Sequence, residues 1–507
     1  MTVARIACLV VCALVALGGP ASAQKGKNTV RIAEGEPIKG IDTYNFPVKD
    51  AMFFAYHVFE PLARYDEESG KFVPALAKSW TRVDPITLEF DLRDDIKFTN
   101  GDPVSADDVV NILTWRIDPN VRLAFKERTA DFDRAEKIGP HRVRIYTKRP
   151  VAIDLLTLAY QVPIYDWKVF AKLEDKSDYG KSAVGTGAIK LVTLDNNTGL
   201  VFERNDAYDR GFKPSYQTLI AVPIPDRQTQ SAHLLAGSID AMKVSSKDEF
   251  DEMSKMPTVE ADSRGQYQAL LMHLDQRGRS GVRALGDERV RRAISMAIDR
   301  SAIAKNLIPG KAELINSVCL KGMLGCPTTL SRDPPPFDVA GAKKLLADAG
   351  YPNGFDLVIT SRTLARSAAI TIAGQLRAIG INATVDYRTV VAYRKLRTDG
   401  GLQVDVVDPP VGSLPDASNP LNQDLSNDDF RLMDDHDVDT WSEQALGELD
   451  PQKRQAIYAN VFGRINEKSY VFPIANWPDA WVHVKGLTVN SGSWQRDGVA
   501  VLDFAWK

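Results

Sequence analysis

Few residue sets in this 507-residue chain have types and spacings suited to chemistry, and most of those fail on closer reading. Gly180-Lys181-Ser182 has the ending of a phosphate-binding loop. The glycine required five positions earlier is Asp175, whose carboxylate would repel a phosphate. No G-x-S-x-G elbow presents a serine on a sharp turn, and no H-E-x-x-H places two imidazoles on one helix face. The six histidines, His57, His141, His233, His273, His436 and His483, lack metal-site spacing and read as isolated structural residues. The acidic run Asp428, Asp429, Asp434, Asp435, Asp437 and Asp439 lacks the turn glycine and terminal glutamate of a calcium loop. It reads as a solvated helix-and-loop surface. No catalytic group, metal or cofactor is expected, which leaves binding as the chemistry to explain.

The elements that would position binding groups alternate between two periods. Leu88-Glu89-Phe90-Asp91-Leu92 and Val143-Arg144-Ile145-Tyr146 alternate like strands with one buried face. Asp287 to Asn306 carries Val290, Ala293, Ile294, Ala297, Ile298 and Ile303 as a helical stripe, with Arg289, Arg291 and Arg292 read as a solvated face. Ser105 ahead of Asp107 and Asp108 reads as a helix start, the carboxylates complementing the dipole. A second amphipathic helix over Asp338 to Ala349 ends at Gly350 and leads into a strand from Phe355 to Thr360. Strands mixed with helices in both halves give an α/β class. There is no internal repeat, and Asp333-Pro-Pro-Pro-Phe337 is a short rigid linker.

The first 23 residues have Arg5, an apolar run from Ile6 through Leu17, and Ala21-Ser22-Ala23 as a cleavage site. This is a removable export signal. Cys12 follows Val11 too early in the run to serve as a lipid-attachment site. Without the signal 484 residues remain, enough for about three compact modules. The loss of Arg5 takes the net charge from −3 to −4, and no basic field argues for nucleic acid. Cys8 and Cys12 leave with the signal. Cys319 and Cys326, in CLKGMLGC, are expected to pair in an oxidising compartment as a local staple.

Several stretches resemble one family in order along the chain. They include FEPLARYD at Phe59, PALAKSW, LEFDLRDDIKF and NGDPVSADDVV, then VGTGAIKLV at Val184, ERNDAYDRGFKP at Glu203 and LLAGSIDAM at Leu234. DERVRRAISMAIDRSAIAKNLIPGKA at Asp287, AGAKKLLADAGYPNGFDL at Ala340, IAGQLRAIGINATV at Ile372 and DPQKRQAIYANVFGRINEKSYVFPI at Asp450 continue it. The chain thereby resembles the extracellular solute-binding proteins of the peptide, oligopeptide and nickel class, family 5, which feed ABC importers. The resemblance implies a two-lobed periplasmic-binding-protein fold with an inserted subdomain in lobe one and a two-strand hinge. By that analogy lobe one holds residues 24–265 and 480–507, with the insertion at about 56–181, and lobe two holds 268–478. The crossings fall near Asp262 to Tyr267 and Asn476 to Trp481. Gly185 and Gly187 are expected to permit a tight backbone path.

The same resemblance places the ligand in the interlobe cleft, with Asp405 to Leu421 facing it. Pro415-Asp416 and Asn419 stand where the family has a proline-aspartate and a following asparagine. Peptide-binding relatives place an aspartate three residues before that aspartate, against the ligand's ammonium; here it is Ser413. Asp405, Asp408 or Asp416 are candidate substitutes, although Asp416 equally suits a local Pro-Asp turn. Tyr44 and Phe46 are further candidates, with core packing the equal alternative, as are His273 and Trp477 beside the crossings. Trp494 lies in a Gly/Ser-rich loop, where plain surface packing is the simpler reading. The implied function is capture of a small polar organic solute by a periplasmic monomer and delivery to a membrane ABC permease. Peptide is the leading class; an opine, oligosaccharide or metal chelate is the alternative. A secreted hydrolase with a cleft carboxylate pair and a chaperone-like peptide holder are rivals from other classes.

Overall fold

The computed structural model describes residues 28–45, 49–67, 69–195, 197–265, 267–409, 414–421, 431–489 and 499–507. The expected signal segment, Phe46, Ser413 and Trp494 lie outside the described residues.

Two sheets organise the chain. The first has seven strands in the order Val259–Arg264, Asp479–Val484, Ala241–Val244, Thr29–Glu34, Thr218–Pro223, Gly199–Arg204 and Ile189–Asp195. Thr29–Glu34 is parallel to both neighbours, and the outer pairs are antiparallel. The second has five strands in the order Asn382–Tyr387, Asp356–Ser361, Val404–Val407, Ala269–Leu274 and Val471–Asn476. Its fourth strand, ALLMHL, is buried at every position. Period two explains why: Leu270, Met272 and Leu274 pack into one core, while Ala269 and Leu271 pack into another on the opposite face.

The chain leaves the first sheet after Arg264 and enters the second at Ala269; it returns between Asn476 and Asp479. Each sheet has its own apolar core, so the molecule is two lobes joined by two short crossings. The first lobe carries an inserted antiparallel sheet of four strands, ordered Ala77–Asp84, Thr87–Leu92, Arg142–Thr147 and Phe132–Gly139. Gly185 and Gly187 thread past the helix Lys49–Val58 so closely that a Cβ on either would lie 2.1 Å from a backbone oxygen, of Val58 or His57.

The lobes also touch away from the crossings. Ala152 N donates to Leu446 O at 2.8 Å, Arg149 pairs with Glu443, and Tyr65, Leu156 and Tyr160 of the insertion pack against Leu414.

Three local expectations are corrected. The stripe from Asp287 to Asn306 is two helices, Glu288–Met296 and Arg300–Leu307, because Asp299 caps the second by accepting from Ala302 N at 3.0 Å. Arg291 is buried, its guanidinium donating to Leu285 O, Gly286 O and Lys468 O. Asp435 is buried too, capping the helix His436–Gly447 and accepting from Tyr470 Oη at 2.8 Å and Arg464 Nε at 2.9 Å. At Ser105 the helix start forms as read, with Ser105 N and Oγ both donating to Asp108 Oδ2. Cys319 and Cys326 form a disulfide. The loop it closes carries Leu324, whose N donates to Pro415 O and whose O accepts from Ala417 N, so the staple braces segment 414–421.

Candidate functional site: the cleft between the lobes

In open α/β sheets, ligands bind beyond the carboxyl ends of the parallel strands. Here those ends sit beside the crossings. In the first lobe the edge comprises Glu34 at the end of its strand, Lys243 and Val244 at the end of theirs, and Asp479 where the chain returns. In the second lobe it comprises Ser361 and Arg362, Val407 and Asp408, and the crossing residues Gln268 and Trp477.

The second-lobe edge is well braced. Gln268 Nε2 donates to Asp408 O and Oδ2, both at 3.0 Å, and Trp477 N donates to Gln268 O at 2.7 Å, tying the crossings together. Arg362 lies over the Tyr393 ring at 5.3 Å and approaches Asp408 only to 3.7 Å. Its Nε is buried and, among the described residues, has no hydrogen-bond acceptor. A buried guanidinium donor left open in this way is suited to a carboxylate.

The first-lobe edge holds a different set. Lys243 Nζ pairs with Asp479 at 2.5 Å and lies over the Trp481 ring, while Trp481 Nε1 and Val499 N both donate to Asp479. Glu34 is half-buried and crowded by protein. Desolvation, reinforced by Asp50 and opposed by Lys243 and Arg227, pushes its carboxyl up to about 8.

The residues singled out in the sequence fall into distinct places. Tyr44 is in the first-lobe core, its ring edge-on to Trp115 and Tyr165 and its hydroxyl donating to Pro163 O. His273 and Asp405 face each other across paired strands, His273 Nδ1 lying 2.7 Å from Asp405 Oδ1, with Tyr393 Oη donating to Oδ2 at 2.6 Å. Burial works against the Asp405 charge, but His273, Arg397 and Tyr393 outweigh it and hold the carboxyl below its ordinary value. Asp416 is fully buried in a two-pronged pair with Arg454, at 2.7 and 2.8 Å, and also accepts from Ser418 N and Oγ. Burial opposes the Arg454 charge as well; the Asp416 carboxylate outweighs it and holds the guanidinium above its ordinary value. Asn419 is buried on the short helix Ser418–Pro420, and Trp477 is packed into a second-lobe core.

The carboxylates considered as substitutes at position 413 are thus engaged: Asp405 by His273 and Tyr393, Asp416 by Arg454, and Asp408 by Gln268. Glu34 and Arg362 were missed in the sequence. Their signal was position, a charged side chain at or just past the carboxyl end of an apolar strand (TVRIAE and DLVITS). A recess of about 20 Å³ beside Arg64, Tyr65 and Tyr160 has room for about one water and belongs to the first lobe. Among the described residues no group of three His, Cys, Asp or Glu side chains is placed to hold a metal, and no helix is long and apolar enough to cross a membrane.

Two lobes, two crossings and charged strand ends facing the space between define a solute-binding protein of the periplasmic type. Comparison with known proteins identifies the family: residues 71–431 match the model of the bacterial extracellular solute-binding proteins, family 5, and the chain belongs to it. The nickel-binding periplasmic protein of Escherichia coli K12 is 24% identical over 458 residues, covering 84% of each chain. The glutathione-binding protein GsiB of the same strain is 26% identical over 500 residues, covering 94% of this chain and 95% of its own. The periplasmic binding protein DppA of Helicobacter pylori, solved with the peptide STSA, superposes with a TM-score of 0.76 at 20% identity, covering 94% of this chain and 98% of that one. The chain is accordingly a substrate-binding component that delivers solute to an ABC transporter.

Proposed function

We propose that this chain, exported to the periplasm behind its amino-terminal signal, closes on a small solute bearing a carboxylate and passes it unchanged to an inner-membrane permease. A peptide is the leading solute class. The observation that carries this reading is Arg362 at the second-lobe edge of the cleft, whose buried Nε lacks an acceptor among the described residues. The names of the similar proteins, a glutathione binder and a peptide-bound structure among them, support the class. Closure shifts a population of lobe orientations, because the solute bridges both edges only when they approach. The protein acts as a monomer and hands the solute on unreacted; among the described residues the cleft edges offer charge recognition.

A panel of short peptides, opines, oligosaccharides and metal chelates, read by thermal shift and calorimetry, tests the proposal. Peptides or other carboxylates should bind. Arg362→Ala should weaken that binding by about 2 kcal/mol, roughly thirtyfold, the worth of a charged hydrogen bond. Preference for a neutral oligosaccharide, with Arg362→Ala without effect, overturns it.

A further inference from the structure

We propose that Glu34 is the anionic subsite of the cleft, receiving from the first lobe the ammonium group of a zwitterionic solute in place of the carboxylate absent at position 413. The inference rests on the solute-capture reading above and names the second half of what is recognised.

Several more deeply buried carboxylates of this lobe are held by protein donors. Asp42 accepts from Tyr44 N and Asn45 N, Asp240 from Arg31 N, Asp479 from Trp481 Nε1 and Val499 N, and Asp503 from Ala500 N and Arg264. No such bond holds Glu34 among the described residues. Glu34 is half-buried rather than sealed, so its carboxyl at the cleft edge is open to a partner that comes and goes.

Register fixes its place. Ile32 pairs with Ala241 in parallel, so two residues on Glu34 stands level with Lys243, which pairs with Trp481. Lys243 is the obvious neutraliser, yet its ammonium is committed to Asp479 at 2.5 Å. Arg227, the other nearby cation, donates to Lys243 O and approaches Gln230 Oε1 at 3.4 Å. Asp50, in the first turn of the helix Lys49–Val58, adds a second negative charge. Among the described residues, the charged groups acting on Glu34 are one unhelpful anion and two cations with other partners. Such a carboxyl holds a proton while the cleft is empty and gives it up when a cation docks. The step balances as one proton released to solvent for each ammonium captured.

The test uses mixed di- to pentapeptides of alanine, leucine and serine, with free amino termini or after N-acetylation, read by native mass spectrometry and calorimetry. Wild-type protein should retain the free-amine mixture at least tenfold better than the acetylated one, and Glu34→Gln should erase most of that difference. Affinity for free-amine peptides should rise roughly tenfold per pH unit from 6 towards a maximum near 8, where the peptide amine begins to deprotonate. A proton release of nearly one per peptide at pH 7 should accompany it in wild type and vanish in Glu34→Gln. Equal retention of both mixtures by wild type, with flat pH dependence, overturns the Glu34 assignment and leaves solute capture standing. Retention of neither mixture overturns the peptide reading and this inference with it.

Discussion

The substitution Asp416→Asn separates a structural carboxylate from a ligand anchor. The wild-type side chain has no exposed surface, and both oxygens are bonded by Arg454, with Ser418 supplying two further donors. Asparagine keeps the shape and removes the charge, leaving the Arg454 guanidinium, itself 4% exposed, facing a neutral amide. Breaking one side of a buried pair costs about 3–5 kcal/mol, because an uncompensated charge stays in a poorly polarisable interior. For a lobe of about 200 residues each kcal/mol moves the midpoint by about 2–4 °C, so the second-lobe transition should fall by about 6–20 °C. Differential scanning calorimetry of the solute-free protein reads this directly. The increment in midpoint on adding a bound solute, measured at a temperature where the variant remains folded, should match that of wild type. A variant that melts within about 2 °C of wild type but loses the solute-induced increment would refute the reasoning and return Asp416 to the ligand.

Two further outcomes follow from the same geometry. Replacing both Cys319 and Cys326 with serine should destabilise the second lobe by about 2.5 kcal/mol on the chain-entropy account, and hydrogen exchange at Ala417 should quicken, since the closed loop braces it through Leu324; unchanged exchange there would show that the bracing is independent of the staple. Glu34 has its carboxyl raised from 4.5 to about 8 in the folded protein, so between those values the unfolded chain binds fewer protons and stability falls as pH rises. Glu34→Gln removes that fall: the variant should be close to wild type near pH 5 and more stable than wild type at pH 8 to 9, and a pH-independent difference in thermal midpoint would contradict the assigned environment.

Much of the architecture was legible because the signals are local. The alternating runs at Leu88 and Val143 are strands, and the helix announced by Asp338 and closed by Gly350 spans Val339–Asp348. What escaped depends on distant partners. Arg291 looked solvated because its acceptors, including Lys468 O, come from elsewhere in the chain. Asp435 looked like one of a row of surface acids until Tyr470 and Arg464 came down on it. Asp416 sits where a family motif faces the cleft, yet Arg454, 38 residues on, claims both its oxygens. Glu34 illustrates the converse: nothing in AEGEP distinguishes it from any strand-end glutamate until the folded chain shows both neighbouring cations engaged elsewhere.

The most direct test of solute capture is native mass spectrometry of the protein purified from its own periplasm, followed by gentle denaturation and identification of what is released. The account predicts one small solute per chain, released chemically intact and carrying both a carboxylate and an amine. A solute without a carboxylate, or a cleaved product generated from an added candidate substrate by the purified protein, would contradict it.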